Sequence, residues 1–356
     1  MFLAIKEIIH SKLRYGLVIG LVFLIAYLVF FLTGLAYGLA LDNRTAVDKW
    51  DADYILLAEE SNSNLSMSMV PRKKLEEVEG NEKALLAQTP GVVTQEGNED
   101  GEKITVSFFG INKDEFIMPE VIEGKAFESD AQAVADISLK DEYQVDIGDK
   151  IKLSGNKKIF EIVGFTEDAK FNVSPVLYIS IPAYQEVRFE KTDLSENARL
   201  SGVVVKGDVG SFPDDIENIS ISSFINNLPG YNAQVLTFGF MIGFLIVIAA
   251  IVIGIFIYVL TMQKINIFGV MKAQGISSAF IAKSIIAQTF ILSAAGILLG
   301  LGGTYLTSIF LPSTVPFQSN PMFLGAISLL MLIVAILAAF FSVRAIVKID
   351  PLRAIG

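Results

Sequence analysis

The chain has 356 residues, no cysteine, one histidine and 28 basic against 38 acidic side chains, and just over half of it is hydrophobic. The missing cysteines exclude disulfides, zinc thiolate sites and thiol catalysis. The net charge of −10 sits outside the apolar runs and argues against nucleic acid as a partner.

In chain order, Phe2, Ile5, Ile8, Ile9 and Leu13 fall near one helical face, with Lys6, Glu7 and Lys12 on the other. Residues 1–15 therefore read as an amphipathic helix in the inner membrane interface. An apolar run over 16–40 follows, long enough to cross a bilayer. It exceeds the apolar core of a signal peptide and has no convincing small-x-small cleavage site, so it reads as a retained span. Three more runs follow the long polar insert 41–235, at 236–261, 281–310 and 322–343, with 262–280 as an inner connection and 344–356 as a tail.

Charge sets the expected orientation. Lys6, Lys12, Arg14, Lys264, Lys272, Lys283, Arg344, Lys348 and Arg353 flank the spans on one side, against only Glu7 and Asp350. These flanks sum to about +7 and leave the insert near −17. Basic flanks stay cytoplasmic, which places both termini inside and the acidic insert outside. The fold class is thus membrane α-helical, with four spans and a large extracellular α+β domain.

Within the insert, strands are expected at 54–58, 103–111, 134–138, 150–153, 159–165, 176–180 and 202–206. Helices are expected at 72–87 and 182–189, and polar loops at 61–68 and 95–101. Span one carries Gly34 and Gly38, and span two Gly239 and Gly243, at the spacing that lets helices approach closely. One packed bundle or a homodimer would explain these stripes. Four helices make a poor translocation path on their own, which favours the dimer.

No catalytic constellation is present. The lone His10 is on the expected cytoplasmic side, there is no phosphate-binding G-x-x-x-x-G-K-S/T, and the spans hold no central charge for ion coupling. The chain reads as no enzyme, with no intrinsic cofactor and no metal site. Energy has to come from elsewhere. Residues 263–278, ending near Gly275, form a short basic helix with Ile265, Phe268, Met271 and Lys272 on one side. Such a helix could dock in a partner's groove, or rest on lipid headgroups.

One span, a large outer domain, three spans and the segment 266–277, NIFGVMKAQGIS, together resemble the FtsX-like, MacB-type (type VII) ABC transporter permeases. Asn266 stands where that family's segment usually has Glu. The tail 348–355, KIDPLRAI, is similar to the family's terminal segment, and 147–165 to its outer module. The resemblance implies a cell-membrane homodimer working with two copies of a separate ATPase, which binds and hydrolyses the ATP. It also implies mechanotransmission through a coupling helix bearing Ile265, Phe268, Gly269, Met271, Lys272 and Gly275.

The N-terminal segments 1–15, 30–39 and 42–54 look like the haem-efflux, HrtB-type permeases of Gram-positive bacteria. That likeness implies export of haem taken laterally from the outer leaflet. Haem iron takes His, Met, Cys or Tyr ligands, and its ring needs aromatic walls. The candidates are Tyr37 at the outer end of span one, Phe30, Phe31 and Tyr27 deeper in it, and Tyr231 before span two, with Arg44 for a propionate. Met67 and Met69 are further candidate ligands on a loop. For Tyr37 and Tyr231 the ordinary alternative is an interfacial aromatic belt. Two other functions stay open: export of another amphipathic peptide or lipid, and signalling that controls a cell-wall hydrolase.

Overall fold

The computed structural model describes residues 11–97, 102–156 and 158–347. Residues 1–10 of the expected helix at 1–15 lie outside them, His10 included, as do part of the 95–101 loop and the tail beyond Val347, and 12–15 belong to the first long helix. The chain divides into a unit spanning Leu39–Val235 and a helical unit built from the segments that flank it.

Among the described residues, four helices are long and apolar enough to cross a membrane, Lys12–Asp42, Tyr231–Met262, Ser278–Phe310 and a fourth beginning at Pro321. Spans one and three pack closely. A Cβ on Gly296 would lie 2.6 Å from Val22, and one on Gly300 2.8 Å from Ala26, so only glycine lets these helices approach so nearly. Val18, Val22, Ala26, Val29 and Phe30 of span one share a core with Ile281, Ile285, Leu292 and Ile297 of span three.

The unit Leu39–Val235 is α+β. Its first strands are β1 (Tyr54–Ala58), β2 (Val70–Pro71), β3 (Gly80–Gln95) and β4 (Ile104–Ile111). Next come β5 (Glu123–Gly124), β6 (Gln132–Asp136), β7 (Lys150–Leu153) and β8 (Ile159–Thr166). The last are β9 (Lys170–Phe171), β10 (Ser174–Ser180), β11 (Arg199–Leu200), β12 (Gly202–Val209) and β13 (Ile216–Ser220). The main sheet runs β13-β1-β12-β3-β4-β10-β6-β8-β5, and β7 pairs with both β3 and β8. That last pairing closes β3, β4, β10, β6, β8 and β7 into a ring, which removes most free edges. The β10–β4 and β6–β8 pairs are parallel, and the other pairs are antiparallel.

Side chains alternate along these strands between two cores. Val106, Phe108, Phe160, Leu177 and Ile179 belong to one. Phe109, Ile111, Val176 and Tyr178 belong to the other, which also takes in Ala46, Val47 and Trp50 after span one and Phe224, Ile225, Leu228 and Tyr231 before span two. Trp50, the only tryptophan, lies 6.1 Å from Phe109 and 6.2 Å from Phe224 between ring centroids. The second core thus holds the segments 46–50 and 224–231 on the same sheet.

All seven expected strands are present, within a few residues at their ends. The expected helix 72–87 is not: Arg72–Glu76 is helical, and Gly80–Gln95 is the longest strand. Its Ala-Leu-Leu-Ala run favours helix locally, but pairing with β12 and β4 buries it on both faces, and that burial outweighs propensity. Strand β13 and the short helices Thr45–Asp48, Ser138–Tyr143 and Ile221–Asn226 are additional to the expected elements.

Candidate functional site

The aromatic side chains of span one form a ladder at i, i+4 spacing, which puts them on one helical face. Phe23 and Tyr27 lie 6.1 Å apart, Tyr27 and Phe31 5.9 Å apart and nearly parallel, and Phe31 reaches Phe317 at 5.6 Å. The Tyr27 hydroxyl bonds Thr307 Oγ1 at 3.0 Å. Tyr37 accepts from Asn320 Nδ2 at 3.2 Å, and its ring lies 6.4 Å from Phe323. Tyr27, Phe31 and Tyr37 therefore share a half-buried strip against span three, the loop 311–320 and the start of span four. Phe30 points elsewhere and is fully buried in the helical core.

The Gly34/Gly38 stripe is filled by this chain's own outer loop. A Cβ on Gly34 would meet the Phe317 ring at 2.2 Å, and one on Gly38 would meet the Pro316 carbonyl oxygen at 2.1 Å. Gln318 N–H also donates to Gly34 O at 3.2 Å. A Cβ on Gly239 or Gly243 would meet nothing within 4 Å among the described residues, and both lie on an exposed apolar face.

Tyr231 and Arg44 come together in the other unit. Tyr231 is only 9% exposed and part of the second core. Arg44 grips Asp48 through two nitrogens, at 2.8 and 2.6 Å. Those bonds to Asp48, with a further one to Tyr231, hold its pKa above the ordinary arginine value. A propionate at Arg44 would have to share it with Asp48. Of the loop methionines, Met67 is exposed and Met69 partly buried.

The structure adds a junction that no local sequence signal announces. Lys170 Nζ lies 3.1 Å from Asp42 Oδ2, the last residue of span one, and 3.6 Å from Glu142 Oε1. These side chains keep only 11–19% of their exposure. Burial opposes charge on Lys170, yet Asp42 and Glu142 outweigh it and raise its pKa above the ordinary lysine value. Burial likewise pushes Glu142 above the usual glutamate range, against the pull of Lys170. The backbone joins in: Lys170 N–H donates to Thr45 Oγ1 at 2.9 Å, and Ala169 N–H to buried Asp136 at 2.7 Å. Asn43 Nδ2 donates to Leu39 O at 2.7 Å and to Gln234 Oε1 at 3.3 Å, tying the end of span one to the start of span two. The contacts of Asp42 and Thr45 with Lys170 and of Asn43 with Gln234 span 125 to 191 residues in sequence, which is why spacing could not reveal them.

Between spans two and three, Ile265–Ala273 is a nine-residue helix closed by Gly275 at φ +87°. Gly275 and Ile276 N–H groups return to Lys272 O and Met271 O at 3.0 Å each. Phe268 and Gly269 are buried against the chain's own bundle, and Ile265, Met271 and Lys272 are half-buried beside them. The exposed face is Asn266, Ile267, Val270 and Gln274. Lys264, just before the helix, donates to the Tyr15 hydroxyl of span one at 2.6 Å and lies 5.3 Å from its ring centre.

These elements match known families. The MacB-like periplasmic core domain matches residues 15–217, and the FtsX-like permease C-terminal domain matches 239–351. A protein of Staphylococcus haemolyticus named a hemin transport system permease protein, HrtB, is 24% identical over 362 residues, covering 100% of this chain and 99% of its own. The HrtB of Staphylococcus epidermidis (strain ATCC 12228) is 25% identical with the same coverage. An ABC transporter permease of Mycobacterium bovis is 20% identical over 360 residues. The chain belongs to the MacB-like permeases, whose core-domain model covers more than half of it, and carries an FtsX-like permease C-terminal region behind that core.

Proposed function

We propose that this permease exports haem from the outer leaflet of the cell membrane, driven by a separate ATPase through mechanical transmission. The end-to-end match to two permeases named for hemin transport supports the substrate. As a homodimer it would bind two ATPase copies, with both termini and Ile265–Ala273 in the cytoplasm and the acidic domain outside. Closure of the ATPases would push on Ile267 and Val270 of that helix. The Lys264–Tyr15 contact would pass the movement to span one, and the Asp42–Lys170–Glu142 junction would pass it to the sheet. Haem would enter from the lipid beside Tyr37, Phe31 and Tyr27, with Tyr37 as the accessible ligand. Phe30 would stiffen the wall from within the helical core, and membrane lipid would be the medium of entry.

Haemin tolerance in cells producing the permease and its ATPase tests this reading. The wild-type pair raises tolerance, and Tyr37→Ala lowers it several-fold at equal expression. Unchanged tolerance in the variant removes Tyr37 from the site. No rise with the wild-type pair overturns haem as the substrate.

A further inference from the structure

Strands β9 and β10 are joined by the two-residue turn Asn172–Val173, with Ser174 paired to Phe171. Both turn residues adopt left-handed backbone, at φ 50° and 66°. Asn tolerates that region. A β-branched residue there is an outlier, and Gly is the residue such a turn ordinarily carries.

The turn's backbone has a clear task. Asn172 N–H donates to Asn43 O at 3.1 Å and Val173 N–H to Asp42 O at 3.0 Å. These are carbonyls at the C-terminal end of span one, which a helix leaves without internal partners. Glycine at 173 would cap them equally well and without strain. The valine side chain therefore adds nothing to this cap, and inside the domain it does little, because Val173 is 43% exposed.

Its position is fixed by the hydrogen bond to Asp42. Span one has 31 residues, so it is about 46 Å long at the α-helical rise. The hydrocarbon core is roughly 30 Å thick, and the helix end therefore falls in the headgroup layer. A half-exposed apolar side chain held there meets lipid rather than bulk water. Beside the turn, Lys170 is paired with Asp42 and Arg44 with Asp48, so neither cation is free for an anionic headgroup, which leaves apolar contact with the upper acyl region.

From these observations we infer that the Asn172–Val173 turn is a lipid-contacting tip that seats the outer domain on the bilayer surface. This inference rests on the membrane span alone and holds whatever the permease carries.

The cysteine-free chain allows a direct test. A nitroxide on V173C is compared with one on L194C, whose parent leucine is 64% exposed, in phosphatidylcholine nanodiscs. The label at 173 should be several-fold less accessible to a water-soluble nickel chelate and more accessible to oxygen than the label at 194. Equal accessibilities overturn the inference. Val173→Gly supplies a label-free arm. Relief of strain should raise the denaturation midpoint in detergent, and lost lipid contact should shrink that gain in nanodiscs. A gain of equal size in both media also overturns it. Trp50 emission verifies that each variant is folded.

Discussion

Lys170→Met should lower the stability of the outer domain by about 3 kcal/mol, the low end of the range for removing one partner of a buried ion pair. The low end applies because the three side chains keep some solvent contact. Removing the ammonium leaves Asp42 and Glu142 facing each other beside a third carboxylate, Asp136. The pH dependence has a definite sign. With its pKa raised, Lys170 contributes stability that is fully present below about pH 10.5 and is lost as pH rises through its folded value. Glu142 is also raised, so its charged form opposes folding, and stability falls as pH climbs through its folded pKa. Without Lys170 that pKa rises further. The deficit of Lys170→Met should therefore be smaller at about pH 5 than at about pH 7.5, because protonation removes the unpaired charge. Trp50 sits in the core that joins this junction to the sheet, so its emission during urea unfolding reports the right region. A midpoint unchanged at pH 7.5 would show that the junction carries no load.

Gly38→Ala should destabilise the helical unit by about 1–3 kcal/mol, the usual cost of overpacking. The added methyl meets backbone atoms, Pro316 O at 2.1 Å and Gln318 N at 2.8 Å, which cannot swing away as a side chain would. The loop 311–320 must shift and take the Asn320–Tyr37 bond with it. At Gly34 the obstacle is the Phe317 ring, so Gly34→Ala should cost less. Gly239→Ala and Gly243→Ala meet nothing within this chain and should keep the wild-type melting temperature as monomers, gaining slightly from helix propensity. Melting in detergent, with protease cleavage of the loop as a second readout, checks all four. If Gly38→Ala melts like wild type, the loop does not pack as described. If Gly239→Ala shifts the chain from dimer to monomer, the second stripe serves the dimer that the proposed function requires.

Local pattern carried much of this fold. The alternation over 150–165 marked β7 and β8 because each strand's two faces differ in burial, and long apolar runs mark membrane helices wherever they occur. The strand Gly80–Gln95 was opaque for the opposite reason: buried on both sides, it shows no period of two, and its alanines and leucines imitate a helix. The candidate site was only partly legible. Position along span one selected Tyr27, Phe31 and Tyr37, which do share a strip, but could not separate them from Phe30, which turns into the core. Tyr231 sat at the height of an aromatic belt and is instead packed in the domain core, because the chain after Phe224 folds back under the sheet. The Asp42–Lys170–Glu142 junction left no trace at short range, since it exists only once distant segments meet.

A haemin titration of the purified chain in nanodiscs, followed at the Soret band, shows directly whether haem binds this permease. A saturable, shifted band at about one haem per permease dimer is expected, with the tyrosinate-type spectrum weakened by Tyr37→Ala. A spectrum identical to haemin in empty nanodiscs would contradict it, and would leave an FtsX-like permease that carries another cargo or none.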